Sequence, residues 1–151
     1  MDSLIKVKLH KHCLDFVEQR ISNVRSVINN ATESANEDTK SSAGDKHETG
    51  RAMAQLEQEK GAKQLNEALH MKSQLHKIDP TKASNIVGRG SLVVTTEGNF
   101  YISVAAGKAV IDDLICFAIS PESPIAKSLS GLSISQSAIF NQKSYTIQDI
   151  L

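Results

Sequence analysis

The sequence predicts an α+β chain, in which an antiparallel hairpin of two long helices precedes a small antiparallel β domain with one short helix. Apolar residues recur every three or four positions in the first half, as on a helix with one buried face. Residues 81–151 instead alternate apolar and polar positions, as strands do. The density of charged residues changes at the same place. Residues 1–80 contain 12 basic and 12 acidic residues, whereas residues 81–151 contain 5 of each. We therefore predict a hairpin at 1–79, a linker at 80–87 and a β domain at 88–151.

Composition excludes several classes of protein. The 151 residues are 40% hydrophobic, which is too apolar for a fully disordered chain. Lys plus Arg and Asp plus Glu are 17 each, so a uniformly basic nucleic-acid binder is excluded. The sequence has no apolar run of about 18 residues, and we do not expect its start to act as a secretory signal, because lysines interrupt the apolar residues there. Cys13 and Cys116 are too few for a disulfide framework, so we expect a cytoplasmic protein without membrane contact.

The first helix is predicted from a heptad pattern sustained over about four repeats, the spacing typical of a coiled coil. Its seam consists of Val7, His10, Leu14, Val17, Ile21, Val24, Ile28, Ala31 and Ala35. Cys13, Phe16 and Val27 widen the apolar stripe. A polar stretch follows at 37–47, and we place the bend of the hairpin within it, at 39–44.

The second helix is predicted from about Asp45 to Ile78. Its apolar set is Met53, Leu56, Leu65, Ala68, Leu69, Met71, Leu75 and Ile78, with an interruption at Lys60 and Gly61. It ends at Asp79, because the residue before a proline avoids the α region. Two amphipathic helices joined by a short polar segment form an antiparallel hairpin. At 1.5 Å per residue, roughly 33 residues give an arm on the order of 50 Å.

The β domain is predicted from five short alternating segments bounded by turn residues. The strands are placed at 91–96, 100–104, 114–120, 138–140 and 145–150. A single short helix is predicted over residues 123–131, because Ser123 suits the N-cap, Pro124 the first turn and Gly131 the position after the end. Asp112 and Asp113 are interpreted as an exposed turn.

Asp45 and Glu48 are the candidate functional residues of the hairpin. Their spacing fits a capping box at a helix N-terminus, which is a purely structural role. It also fits two carboxylates that together hold a divalent cation, since Mg2+ uses one or two carboxylates and takes its other ligands elsewhere. The surroundings are acidic, because Glu33, Glu37, Asp38, Asp45 and Glu48 face only Lys40 and Lys46.

Two motifs resemble the Gre family of bacterial transcript cleavage factors. Gly44-Asp45-Lys46-His47-Glu48-Thr49 is similar to the Gly-Asp-x-x-Glu-Asn tip of that family. The segment from Ser123 to Gly131, Ser-Pro-Ile-Ala-Lys-Ser-Leu-Ser-Gly, is similar to the signature of the family's C-terminal domain. The order of long hairpin, linker and β-rich domain also agrees over nearly the whole chain.

The resemblance implies an N-terminal coiled coil and an FKBP-like C-terminal domain. It implies that the chain binds RNA polymerase and inserts its hairpin into the secondary channel. Asp45 and Glu48 would then help hold the second Mg2+ of the polymerase, which cleaves backtracked RNA. The protein would be an accessory factor without activity alone and without a small-molecule substrate, and we expect a monomer.

The sequence departs from the family pattern after the second tip acid. Thr49 replaces the Asn, and Gly50-Arg51-Ala52 replaces Ala-Glu-Tyr, which removes an acid and an aromatic. Leu132 replaces the Lys that follows the C-terminal signature. These differences keep a second interpretation open, in which the protein occupies the channel without promoting cleavage. A third interpretation is a coiled-coil adaptor that presents an FKBP-like module and has no role at the polymerase.

Other chemistry-bearing residues are interpreted as structural. His10, Cys13, His70 and His76 could approach one another at the open end of the hairpin, where ordinary packing competes with a zinc site. Cys116 lies in an apolar strand, which indicates a buried, inert thiol. Gly88-Arg89-Gly90 lacks the Gly-Lys-Ser/Thr that a phosphate loop requires and is assigned to the start of the β domain.

Overall fold

The structure is a computed structural model that describes the backbone of residues 3–40 and 44–151 and the side chains of residues 3–33 and 49–151. It confirms the α+β class, with two long helices before a six-stranded sheet and one short helix. The elements are α1 (Ser3–Lys40), α2 (Gly44–His76), β1 (Leu92–Thr95), β2 (Gly98–Ile102), β3 (Gly107–Ile111), β4 (Leu114–Ile119), α3 (Pro124–Leu129), β5 (Ser137–Phe140) and β6 (Lys143–Ile150).

The chain forms two compact units. The helical unit comprises Val17–Lys72, and the sheet unit comprises Met1–Phe16 together with Ser73–Leu151. The first turns of α1 and the last residues of α2 thus belong to the sheet unit. The predicted linker at 80–87 lies within the sheet unit as well. None of the helices described on either side of residues 41–43 is both long enough and apolar enough to cross a membrane.

The two helices of the helical unit run antiparallel. Near one end, the Lys72 ammonium lies 2.7 Å from a carboxylate oxygen of Glu18. Further along, the Gln58 side-chain amide donates a hydrogen bond of 2.9 Å to the hydroxyl of Thr32. Residue numbers therefore rise along α1 as they fall along α2, which confirms the predicted hairpin.

The buried face of α1 in the helical unit follows the predicted heptad. Val17, Ile21, Val24 and Ala31 are all buried there. In the sheet unit the buried residues of α1 include His10, as predicted, but also others one position away from the predicted seam. These are Lys6, Leu9 and Cys13.

The apolar set predicted for α2 is partly wrong. Met53 and Leu56 are each 64% exposed, although the sequence placed both on the buried face. Ala68 and Leu75 are buried as predicted, and the two further buried positions among the described side chains of α2 are small, at Ala54 and Gly61. These four positions are seven residues apart. A Cβ on Gly61 would lie 2.6 Å from Cγ1 of Ile28, so the helices pack closely here and a residue without a side chain fits the contact. Gly61 therefore belongs to the seam and does not interrupt it.

The sheet has the strand order β3-β4-β2-β1-β6-β5. The sheet is mostly antiparallel, as predicted, with one exception: β2 and β4 pair in parallel, with Phe100 opposite Phe117. The reason is β3, a strand that the sequence analysis missed. It forms an antiparallel hairpin with β4 at the edge of the sheet and so reverses the chain between β2 and β4. The turn of this hairpin contains Asp112 and Asp113, both exposed and both with positive φ, which confirms the predicted turn.

The short helix α3 forms as the sequence predicts. The Ser123 hydroxyl accepts a hydrogen bond from the amide of Ala126, and Pro124 occupies the first turn. Ala126 and Leu129 are buried in an apolar cluster with residues of the sheet. The other buried members of this cluster are Val87, Val93, Phe100, Ile102, Tyr145, Ile147 and Ile150.

Candidate functional site

The predicted site residues Asp45 and Glu48 lie in the first turn of α2, which begins at Gly44, one residue before the predicted start. A first helical turn carries unpaired backbone N–H groups and the positive end of the helix dipole, and both favour carboxylates nearby. The side chains of Asp45 and Glu48 lie outside the described residues. The capping role and the Mg2+ role of the pair therefore both stay predictions.

The residues described next to this turn are polar and open to solvent. Glu33 on α1 is exposed, and so are Thr49 and Arg51 on α2. Met53, one turn further, is also largely exposed. The other charged residues of the predicted acidic tip, at positions 37, 38, 40 and 46, have side chains outside the described residues. The described part of this end thus presents both signs of charge, with Arg51 beside the position of the tip acids.

A second group of chemistry-bearing residues lies in the core of the sheet unit around His10. Nδ1 of His10 lies 2.7 Å from the hydroxyl of Tyr101, and the two rings meet edge to face. A second hydrogen bond joins the His10 ring to the backbone carbonyl of Leu75. A carbonyl can only accept, so a neutral ring that donates its N–H to Leu75 accepts the hydrogen bond of Tyr101 at Nδ1. Burial, followed by the nearby His76 and Lys6, lowers the pKa of His10 and favours this neutral form.

The two cysteines are buried near the same core. Burial raises the pKa of Cys13 to about 11, although contact with the Ser103 hydroxyl acts in the opposite direction. Burial likewise raises the pKa of Cys116 to about 11, which agrees with the predicted buried thiol. A thiol with such a pKa is a poor nucleophile, because the thiolate is the reactive form.

The zinc alternative for the histidines gains no support. Among the residues whose side chains are described, no three His, Cys, Asp or Glu side chains are grouped so as to hold a metal ion. His10 and Cys13 belong to the sheet unit and His70 to the helical unit. His10 is occupied by Tyr101 and Leu75, which is the packing role that the sequence analysis preferred.

The sequence analysis missed a cavity of about 290 Å3 in the sheet unit. Its charged lining residues are Lys6, Lys77, Asp79, Lys82 and Arg89. Lys6 comes from the start of α1, and the other four come from the segment that follows α2. The signal available in the sequence was Lys6, which lies at helical spacing from the seam residue His10 and the flanking Cys13.

Neither a scan of protein-family models nor a search of curated proteins found a match to this chain. The resemblance to the Gre family therefore depends on the two motifs, at 44–49 and 123–131, and on the order of the modules. Of these, the structure describes the backbone of both motifs and the side chains of the second. The second motif forms the capped helix α3 that its Ser-Pro start predicts.

Proposed function

We propose that this protein is an accessory factor of the Gre type that binds bacterial RNA polymerase. Its helical hairpin enters the secondary channel, and Asp45 and Glu48 contribute carboxylates to a second Mg2+ in the polymerase active site. The polymerase then cleaves the 3′ end of backtracked RNA. The protein acts in the cytoplasm as a monomer and has no activity alone.

The observation that carries this proposal is the antiparallel pairing of α1 and α2. Because Thr32 pairs with Gln58 and Glu18 with Lys72, the ends of the helices at Lys40 and Gly44 lie at the closed end of the hairpin. Asp45 directly follows Gly44, and Glu48 lies four residues after it. A narrow two-helix rod with carboxylates at its closed end is suited to reach a metal inside a channel.

The chemistry needs little from the protein itself. Two carboxylates bind Mg2+ weakly, so the polymerase and water must supply the remaining ligands. A second metal ion in such a site activates water for attack on the phosphodiester and stabilises the leaving oxygen. Asp45 and Glu48 would hold this ion in place, and their contribution would be absent without the polymerase.

The second candidate function keeps the docking but not the cleavage. It is favoured by Arg51, which is exposed on α2 within one turn of Glu48, where the family has an acid. A cation there would repel Mg2+ and weaken its binding by the two carboxylates. In this version the hairpin occupies the channel and competes with cleavage factors. The adaptor interpretation predicts no binding to the polymerase.

The test is a cleavage assay on backtracked elongation complexes assembled with bacterial RNA polymerase and end-labelled RNA. We expect the full-length protein to shorten the RNA faster than polymerase alone. The Asp45→Asn, Glu48→Gln double variant should lose this effect and still bind the polymerase. The matched control is Glu59→Gln, Glu67→Gln, which removes two exposed carboxylates from α2 away from the tip.

The outcomes separate the three candidates. Faster cleavage that persists in the Asp45 and Glu48 variant would contradict the proposed role of the acids. Binding without faster cleavage would favour channel occupation, and Arg51→Glu should then introduce some stimulation. Failure to bind the polymerase at all would favour the adaptor.

A further inference from the structure

The cavity in the sheet unit is strongly basic. Lys6, Lys77, Lys82 and Arg89 line it, against the single acidic residue Asp79. The chain as a whole has a formal net charge of zero, so this concentration of positive charge is local. Like charges that share a small site repel one another, and an anion in the cavity would relieve that repulsion.

Lys6 is the unusual member of the set. Only 3% of its surface is exposed, whereas lysine is almost never fully buried without a partner. Its ammonium donates one described hydrogen bond, to the backbone carbonyl of Lys82. An ammonium has three N–H donors, and a buried charge is stable only when paired. Burial lowers the pKa of Lys6, and the charge of Asp79 opposes this effect.

Asp79 does not fully compensate for the cations. Its carboxylate is exposed, and its Oδ1 atom accepts hydrogen bonds from both the amide and the hydroxyl of Thr81. These bonds are the main reason why the pKa of Asp79 is lowered. The carboxylate is therefore committed to holding the turn that follows α2. The cavity keeps three more positive than negative charges.

Two turns fix the backbone that carries Lys82 and Arg89. In the first, the amide of Lys82 donates to the carbonyl of Asp79 at 3.2 Å, with Pro80 at the second position of the turn. In the second, the amide of Ser91 donates to the carbonyl of Gly88 at 3.1 Å. Gly90 has a φ of +86°, as the third position of a type II turn requires.

Packing against Ile78 and a hydrogen bond from the amide of Gly88 to the side chain of Ser91 also stabilise the second turn. A Cβ on Gly90 would lie 3.1 Å from Cγ2 of the buried Ile78, so the turn packs closely on the end of α2. The Ser91 hydroxyl further accepts a hydrogen bond of 3.0 Å from the amide of Gly88. Arg89 projects from the second position of this turn. A site whose backbone is fixed in advance loses little entropy when it binds a ligand.

We propose that this cavity binds a small phosphate-class polyanion, of the size of inorganic phosphate or pyrophosphate. Two oxygens of a phosphate can accept parallel hydrogen bonds from the guanidinium of an arginine. The phosphate can at the same time accept charge-assisted hydrogen bonds from several lysines. The volume of about 290 Å3 is at the lower end for ligand sites and so favours a compact anion. This site is independent of the tip acids and of any role at the polymerase.

The test is isothermal titration calorimetry of the full chain with sodium phosphate and with pyrophosphate. The titrations are run without Mg2+ and at constant ionic strength, because salt screens non-specific attraction. We expect saturable one-site binding that is tighter for pyrophosphate. Lys82→Gln, Arg89→Gln should weaken it at least about tenfold, since two charge-assisted contacts are lost.

The matched control is Lys108→Gln, Lys143→Gln, which removes the same charge from exposed positions on β3 and β6. Its affinity should stay within about twofold of the parent, as expected for screened distant charges. Lys6→Met, with folding checked by circular dichroism, should weaken binding like the first double variant. If Lys6→Met does not fold, the two surface variants still decide.

Two results would overturn the proposal. One is the lack of saturable binding by the parent protein at millimolar phosphate and pyrophosphate. The other is an equal loss of affinity in the two double variants, which would mean that anion binding depends only on the net charge of the protein, since both variants lower that charge by two.

Discussion

The two units of the molecule are held together in different ways. The sheet unit buries large side chains completely, among them Leu9, Leu92, Tyr101 and Leu129. The helical unit buries Ala54, Gly61 and Ala68 from α2 and leaves the larger Met53 and Leu56 in solvent. The hydrophobic contribution scales with the apolar area removed from water. The comparison teaches that several elements of the sheet unit supply large buried side chains. In the helical unit the large buried side chains include Val17, Ile21 and Val24 of α1, whereas α2 packs through small residues.

The largest expected effect comes from emptying a core position of the sheet unit. Leu129 is fully buried, and Leu129→Ala should lower the free energy of unfolding by about 2–5 kcal/mol. Leu56→Ala makes the same chemical change at a site that is 64% exposed, and it should stay within about 0.5 kcal/mol of the parent. Urea unfolding followed by circular dichroism measures both. Equal losses of unfolding free energy in the two variants would contradict the proposal that large apolar side chains stabilise the sheet unit but not α2 of the helical unit.

A smaller loss is expected from enlarging the seam of the helical unit. Gly61→Leu places a side chain where even a Cβ would lie 2.6 Å from Cγ1 of Ile28, and overpacking of this kind costs about 1–3 kcal/mol. Thermal unfolding at 222 nm should show a lowered midpoint. Ile28→Ala in the same chain removes the opposing side chain and should restore part of the loss. A Gly61→Leu variant as stable as the parent would show that close approach is not what holds α1 to α2.

The smallest effect concerns pH and the buried His10 of the sheet unit. The pKa of His10 is lowered in the folded state, chiefly by burial, so the unfolded chain binds a proton more readily. Stability should be unaffected above about pH 6.5 and should fall as the pH drops from there towards the lowered pKa. For one titrating proton, the free energy of unfolding changes by at most about 1.4 kcal/mol per pH unit.

This dependence is measured by urea unfolding between pH 7.5 and pH 5. The control is His10→Gln, which keeps a polar side chain near Tyr101 but cannot titrate. The variant should have a flatter profile than the parent over the same range. Identical profiles would assign the acid sensitivity to other groups.

The sequence predicted the two units unequally well. Val17, Ile21 and Val24 are β-branched residues at heptad spacing, so the pattern alone identified the buried face of α1. The face of α2 was predicted only in part: Ala68 and Leu75 are buried as expected, whereas Ala54 and Gly61 were missed because alanine and glycine carry little hydrophobic signal. Strand β3 was missed for a similar reason, since Ala109 is its only fully buried residue. The alternation of apolar and polar residues identifies strands but not their partners. It therefore could not predict that β2 pairs in parallel with β4.

The candidate sites differ in the same way: a site whose residues are neighbours in the sequence was predicted, and a site whose residues are far apart in the sequence was not. Asp45 and Glu48 were found because both lie within one short motif. The basic cavity was not found, because Lys6 is separated from Lys82 and Arg89 by the whole hairpin. Only the fold brings these cations to one place.

The contact between His10 and Tyr101, 91 positions apart in the chain, has a consequence for how the protein folds. The entropic penalty of joining two such distant points grows with the length of the intervening loop. Pairing of α1 with α2 shortens that loop, because it draws Glu18 next to Lys72 before any strand is needed. In a nascent chain the hairpin of α1 and α2 would therefore form first. The sheet would then pack against the N-terminal turns of α1. The N-terminal turns, although made first by the ribosome, would be among the last to find their partners.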